Sequence, residues 1–99
     1  MTGWVTQSIV ITHVVGLHAR PSVKLTKMAK TFTSVIEISD TAEEPWINAK
    51  SIVKVMAMRV KQDTVLHIRA SGNDAAVAVV MLVNLIMRDF DEASVHAVD

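Results

Sequence analysis

The residues of this 99-residue chain best suited to chemistry lie in one stretch, Gly16-Leu17-His18-Ala19-Arg20-Pro21-Ser22. Near neutral pH an imidazole is uncharged and nucleophilic, with a reference pKa of about 6.5. A guanidinium is a planar fork of donors that matches phosphate oxygens. Pro21 fits the first turn of a helix, because the N–H it lacks has no intrahelical partner there. Gly16 permits the chain to turn sharply ahead of that helix. His18 then falls at the helix cap, where free backbone N–H groups and the helix dipole favour an anion. Together these parts predict a site that accepts a phosphoryl group on His18 and holds the resulting dianion with Arg20. A histidine alone at a helix start is more often a cap or a surface residue; the neighbouring Arg20 and Pro21 are what change that.

Composition removes most other chemistries. The absence of cysteine excludes disulfides, thiolate zinc sites and cysteine nucleophiles, and fits a reducing compartment. His13, His67 and His96 lack metal-ligand spacing and no glutamate cluster joins them, so no metal site is expected. There is no GxxxxGK[ST] phosphate loop and no nucleophile elbow. Ten basic and ten acidic residues cancel, which argues against a nucleic-acid partner. The longest apolar run, residues 75–83, is far below the roughly 20 residues needed to span a bilayer, and the N-terminus has no secretory pattern. No membrane insertion is therefore expected. At 51% apolar but 4% aromatic, the chain predicts one globular domain over 1–99 with an aliphatic core.

The zero net charge hides an asymmetry. Residues 1–36 hold four cations, Arg20, Lys24, Lys27 and Lys30, and no acid, whereas residues 89–99 hold four acids and no Lys or Arg. The 20–30 segment should carry positive potential and attract anionic partners.

The elements that must position the site follow from hydrophobic periodicity. Residues 4–12 read as a strand through Ile9, Val10 and Ile11. Residues 20–32 carry Leu25, Met28, Ala29 and Phe32 on one helical stripe, with Lys24, Lys27 and Lys30 turned away. Residues 35–39 alternate as a strand with one wet face, 40–45 form a polar turn, and 46–48 a short strand. Residues 51–58 allow two helical turns with Val55 and Met58 inward. Residues 64–70 alternate with Leu66, Ile68 and Ala70 inward and His67 and Arg69 outward. Asn73 or Asp74 can cap a last helix running to about Arg88. Strand, helix, strand, strand, helix, strand, helix predicts a two-layer α+β sandwich, with a ferredoxin-like topology as the main competitor.

The segment His18-Ala19-Arg20-Pro21, preceded by Gly16-Leu17, resembles the active-site signature of the HPr family, the histidine-containing phosphocarriers of the bacterial phosphotransferase system. Asn48-Ala49-Lys50-Ser51-Ile52 resembles the region around the regulatory serine of that family, and the likeness extends over about residues 5–87. The resemblance implies an open-faced sandwich whose antiparallel sheet has strand order 1-4-2-3, with three helices on one face. It implies a stoichiometric carrier rather than an enzyme. His18 would accept phosphate at Nδ1 from phosphorylated enzyme I, Arg20 would stabilise it, and an enzyme IIA or equivalent acceptor would receive it. No resident metal or other cofactor is implied; enzyme I uses magnesium for its own phosphorylation.

Partner binding in the family involves the outer side of the second helix, here Ile52, Val53 and Met56, with Lys24 and Lys27 placed to steer acidic partner surfaces. Ser51 is the candidate phosphoserine for a serine kinase/phosphorylase; unmodified, it can cap the second helix. A regulatory binding module controlled through Ser51, with transfer at His18 secondary, is the alternative, and a ferredoxin-like interaction domain without phosphotransfer is a third reading. Several residues depart from the family pattern. Val15 stands where Asn or Ser often precedes the glycine, and His13 and Val14 replace small or proline residues. Lys54 stands where a Gly occurs in many relatives, and Arg59 occupies a frequent Gly position, so the end of the second helix should be capped differently. The run 60–64 resembles variants linked to dihydroxyacetone-kinase systems, leaving the sugar-uptake, dihydroxyacetone-kinase and regulatory branches open. In the last helix Ala78, Leu82 and Leu85 are placed inward, which leaves Val77, Val80 and Met81 partly exposed for self-association or a partner.

Overall fold

A computed structural model describes residues 3–91. The elements are β1 (Val5–Val10), α1 (Ala19–Lys30), β2 (Val35–Ser39), β3 (Ile47–Asn48), α2 (Ile52–Ala57), β4 (Val65–Ser71) and α3 (Ala75–Met87), followed by a tight turn at Asp89–Asp91. Each predicted element is present within about two residues at either end, and β2 has the predicted bounds. The sheet order is β1-β4-β2-β3 and every pairing is antiparallel, as the resemblance implied; this excludes the ferredoxin-like competitor.

Strand alternation decides which sheet face is covered. Leu66, Ile68 and Ala70 of β4 and Ile36 and Ile38 of β2 are buried under the helices. From α1, Leu25 and Ala29 enter the same core; Val55 enters from α2, and Ala78, Val79, Leu82, Leu85 and Ile86 from α3. Met28, Phe32 and Met58 are half-buried at its margin. Val77, Val80 and Met81 lie on the outer face of α3, at least two-fifths exposed, as its apolar length required.

The other sheet face is open, and its centre is Arg69. The guanidinium carbon lies 4.0 Å from the ring centroid of Trp4 and 4.1 Å from that of Trp46. Arg69 also donates from Nε and Nη2 to Glu37 Oε1, at 2.9 and 2.6 Å. One cation thus ties the entry of β1, the strands β2 and β4, and the segment before β3.

Two expected helix ends are built otherwise. Asp74 stands at the cap position of α3, but its carboxylate makes no bond to that helix. It accepts instead from Thr33 N–H at 2.9 Å, Ser34 N–H at 3.0 Å and the Ser34 hydroxyl, joining the start of α3 to the loop before β2. Those hydrogen bonds, the Ser34 hydroxyl foremost, hold its carboxyl down at about 2, against an ordinary 3.8. After α2 the chain does not avoid the left-handed stop. Arg59 itself adopts φ +54 and carries the strain that glycine would escape.

Candidate functional site

The strand-to-helix loop is held from below by backbone bonds. Ile11 N–H donates to the Thr64 carbonyl and Leu17 N–H to that of Val60, each at 2.9 Å. Gly16 has φ +66 and presses against the Val60–Lys61 backbone, where a Cβ would overlap the Val60 carbonyl oxygen and lie 2.8 Å from Lys61 Cα. Glycine is therefore required twice, for its conformation and for the close approach. Leu17 anchors the loop in the core. Ser22, wholly buried in the first turn of α1, donates its hydroxyl to the Leu17 carbonyl at 2.9 Å.

His18 is the N-cap residue of α1, with extended backbone. Its carbonyl accepts Ser22 N–H at 2.9 Å, yet its exposed side chain makes no cap bond. Arg20 is also exposed, and among the described residues it makes no ion pair. A cavity of about 410 Å³ is lined by His13, Val14, Val15, His18, Ala19, Arg20 and Pro21. The first turn of α1 contains no acid, so nothing on the helix opposes an incoming anion. This arrangement offers a nucleophilic nitrogen, a nearby cation and a helix N-terminus in one open cavity.

The remaining predicted residues scatter around it. Lys27 is exposed, but Lys24 is half-buried and donates from Nζ to the Phe90 carbonyl at 2.8 Å, so it serves the Asp89–Asp91 turn as well as the surface. Val53 is 74% and Met56 41% exposed, whereas Ile52 is half-buried and lines a shallow cavity with Val23, Thr26, Lys27 and Lys30 of α1. Ser51 caps α2, its hydroxyl accepting Lys54 N–H at 3.3 Å. His67 lies on the open sheet face, its Nδ1 2.8 Å from the Ser8 hydroxyl, and His96 lies outside the described residues. Among the described residues no group of three or more His, Cys, Asp or Glu side chains is gathered for a metal. No described helix is long and apolar enough to cross a membrane.

Sequence reasoning missed two features of this end of the molecule. His13 is 5% exposed and lines the cavity with His18. Phe90 is fully buried against it, with centroids 6.0 Å apart and ring planes at 72°. No periodicity marks either residue, because both sit in irregular backbone; Asp89, Phe90 and Asp91 all have positive φ.

Comparison with known proteins agrees with this geometry. A family model described as the PTS HPr component phosphorylation site matches residues 5–88. The phosphocarrier protein HPr of Mycoplasma capricolum is 50% identical over 72 residues, 73% of this chain and 79% of that protein. The HPr of Neisseria meningitidis serogroup A is 38% identical over 87% of this chain and 94% of its own. The crystal structure of HPr-C-His from Thermoanaerobacter tengcongensis superposes with a TM-score of 0.82 at 35% identity, covering 89% of this chain and 97% of that one.

Proposed function

This chain belongs to the HPr family of phosphotransferase-system phosphocarriers, and from that membership we propose that His18 takes a phosphoryl group from phosphorylated enzyme I and passes it to an enzyme IIA or equivalent acceptor. The observation that carries the assignment is an exposed, uncapped imidazole sharing a cavity with Arg20 at the start of α1.

In the forward step the lone pair of His18 Nδ1 forms a P–N bond while the bond from phosphorus to the donor atom on enzyme I breaks. The donor atom keeps that electron pair, and the His18 ring keeps its own proton on Nε2. Phosphoryl transfer asks mainly for in-line placement and neutralisation of charge spread over three oxygens. Arg20 and the α1 N–H groups supply the neutralisation from this side, and the partner supplies the rest. An open site suits that division of labour, because the group must be reached by two partners in turn. The protein is read as a stoichiometric carrier, regenerated rather than catalytic, acting in the cytoplasm with residues 1–99 as one domain and no cofactor of its own.

Val53 and Met56, together with Ile52, Lys24 and Lys27, form the partner surface in this reading. The exposure of Val53 and Met56 on α2 and of Lys27 on α1 supports it. Phosphorylation of Ser51 would place negative charge at the margin of that surface and weaken docking of enzyme I.

Incubation with enzyme I, phosphoenolpyruvate and magnesium tests the assignment. An acid-labile phosphate that disappears in His18→Ala is expected, and phosphorus NMR identifies the nitrogen. Acid-stable, ATP-dependent label at Ser51 with none at His18 would favour a regulatory module instead.

A further inference from the structure

The loop ahead of His18 exposes Val14 by 70% and Val15 by 53%, followed by a glycine. None of these side chains can hold a turn. A turn of this kind is commonly closed by a short polar side chain that accepts a backbone N–H two residues on. Here the acceptor is an imidazole. His13 Nδ1 takes the Val15 N–H at 3.3 Å, and the His13 carbonyl takes the Gly16 N–H at 2.9 Å.

The ring is pinned from the other side by Phe90, edge to face. Phe90 is itself held in place: its carbonyl accepts Lys24 Nζ at 2.8 Å, and the neighbouring Asp89 carboxylate accepts the Thr12 hydroxyl at 2.7 Å. From His13 a short series of contacts leads to the reacting residue. Gly16 abuts the Val60 carbonyl, Leu17 N–H donates to that carbonyl, and Ser22 ties the Leu17 carbonyl to the first turn of α1.

We propose that His13 is a positioning residue for phosphoryl acceptance at His18, its imidazole closing the 13–16 turn and so setting the wall of the phosphoryl cavity. The role rests on the phosphocarrier reading above. A nitrogen that accepts a hydrogen bond carries no proton, so the neutral ring keeps its proton on Nε2. His13 thereby does in this chain what a short polar turn residue does elsewhere, and it does so from inside the fold, leaving the outer surface of the loop apolar. Val14 and Val15 can then meet a partner without a polar group to desolvate.

Two substitutions separate positioning from packing. His13→Leu fills the space beside Phe90 but offers no acceptor. His13→Asn offers an acceptor to the Val15 N–H but not the ring. Single-turnover phosphorylation of His18 by enzyme I is expected to slow about tenfold in His13→Leu and to stay within about twofold in His13→Asn, well inside the roughly hundredfold that a 1 Å misplacement costs. Melting temperatures should rank the opposite way, since leucine retains apolar volume against Phe90. Nitrogen-15 NMR of the wild-type protein should find the His13 proton on Nε2. Leucine transferring as fast as wild type, asparagine as slow as leucine, or a proton on Nδ1 would each overturn the role. A wild-type protein that takes no label overturns the carrier reading and this role together, whereas a labelled wild type with an unimpaired His13→Leu overturns this role alone.

Discussion

Arg20 and Arg69 occupy opposite situations in the same small fold. Arg69, on the open sheet face, is stacked between two indoles and bonded twice to one carboxylate oxygen. Arg20 stands exposed beside His18 with no ion pair among the described residues. A guanidinium whose donors are already engaged rigidifies what it touches, and one whose donors are free can meet a charge that arrives later. The protein therefore keeps its internally satisfied cation away from the site and its unsatisfied one at the site. The same contrast separates His67, bonded to Ser8 on the sheet, from His18, whose ring caps nothing.

The largest expected effect tests the Arg20 side of this contrast. Arg20→Ala should slow phosphoryl acceptance roughly a hundredfold, the scale of losing one charge-stabilising donor, while the melting temperature stays put. A normal rate in stopped-flow transfer from enzyme I would break the comparison outright. Arg69→Ala should do the reverse. Losing both indole contacts and leaving Glu37 unpaired should cost about 2 kcal/mol in urea denaturation, with transfer at His18 unchanged. Tryptophan fluorescence should change with it, since both indoles lose the same neighbour.

A smaller effect is expected from Arg59→Gly. Relieving the left-handed backbone at φ +54 should stabilise the fold by about 1 kcal/mol, measurable as a higher denaturation midpoint. The smallest concerns pH. Asp74 is held at about 2 in the folded state, below its ordinary 3.8. The depressed folded value means its contribution is present above the ordinary value and is lost as pH falls from about 4 through about 2. Asp74→Asn should flatten that part of the acid-unfolding curve, lowering stability most at neutral pH and converging on wild type as pH falls towards about 2. An unaltered acid limb would show that the Thr33 and Ser34 bonds do not order the loop.

Much of this was legible in the chain alone. Alternation in residues 35–39 and 64–70 set which side chains of β2 and β4 meet the helices, and the apolar stripe through Leu25 and Ala29 set the inner face of α1, because side-chain direction follows directly from period. The Gly16 to Ser22 spacing located the site, because glycine and proline have narrow backbone meanings. His13, Phe90 and the Arg69 stack were not legible. Each depends on residues far apart in the chain, or on irregular backbone where no period assigns a face. Asp74 was misread for a related reason: a local cap and a distant loop compete for the same carboxylate, and only the approach of Ser34 decides between them.

What the amino-acid order determined by itself was the element sequence, the inner faces and the imidazole–guanidinium pair at a helix start, all of them consequences of local backbone preference and short spacing. What tertiary structure decided was which charged groups are free. Arg20 and Arg69 are the same residue type on the page of the sequence. Only the folding of two tryptophans and a glutamate around one of them leaves the other available, because satisfaction of a donor is a property of three-dimensional neighbours and not of the residue.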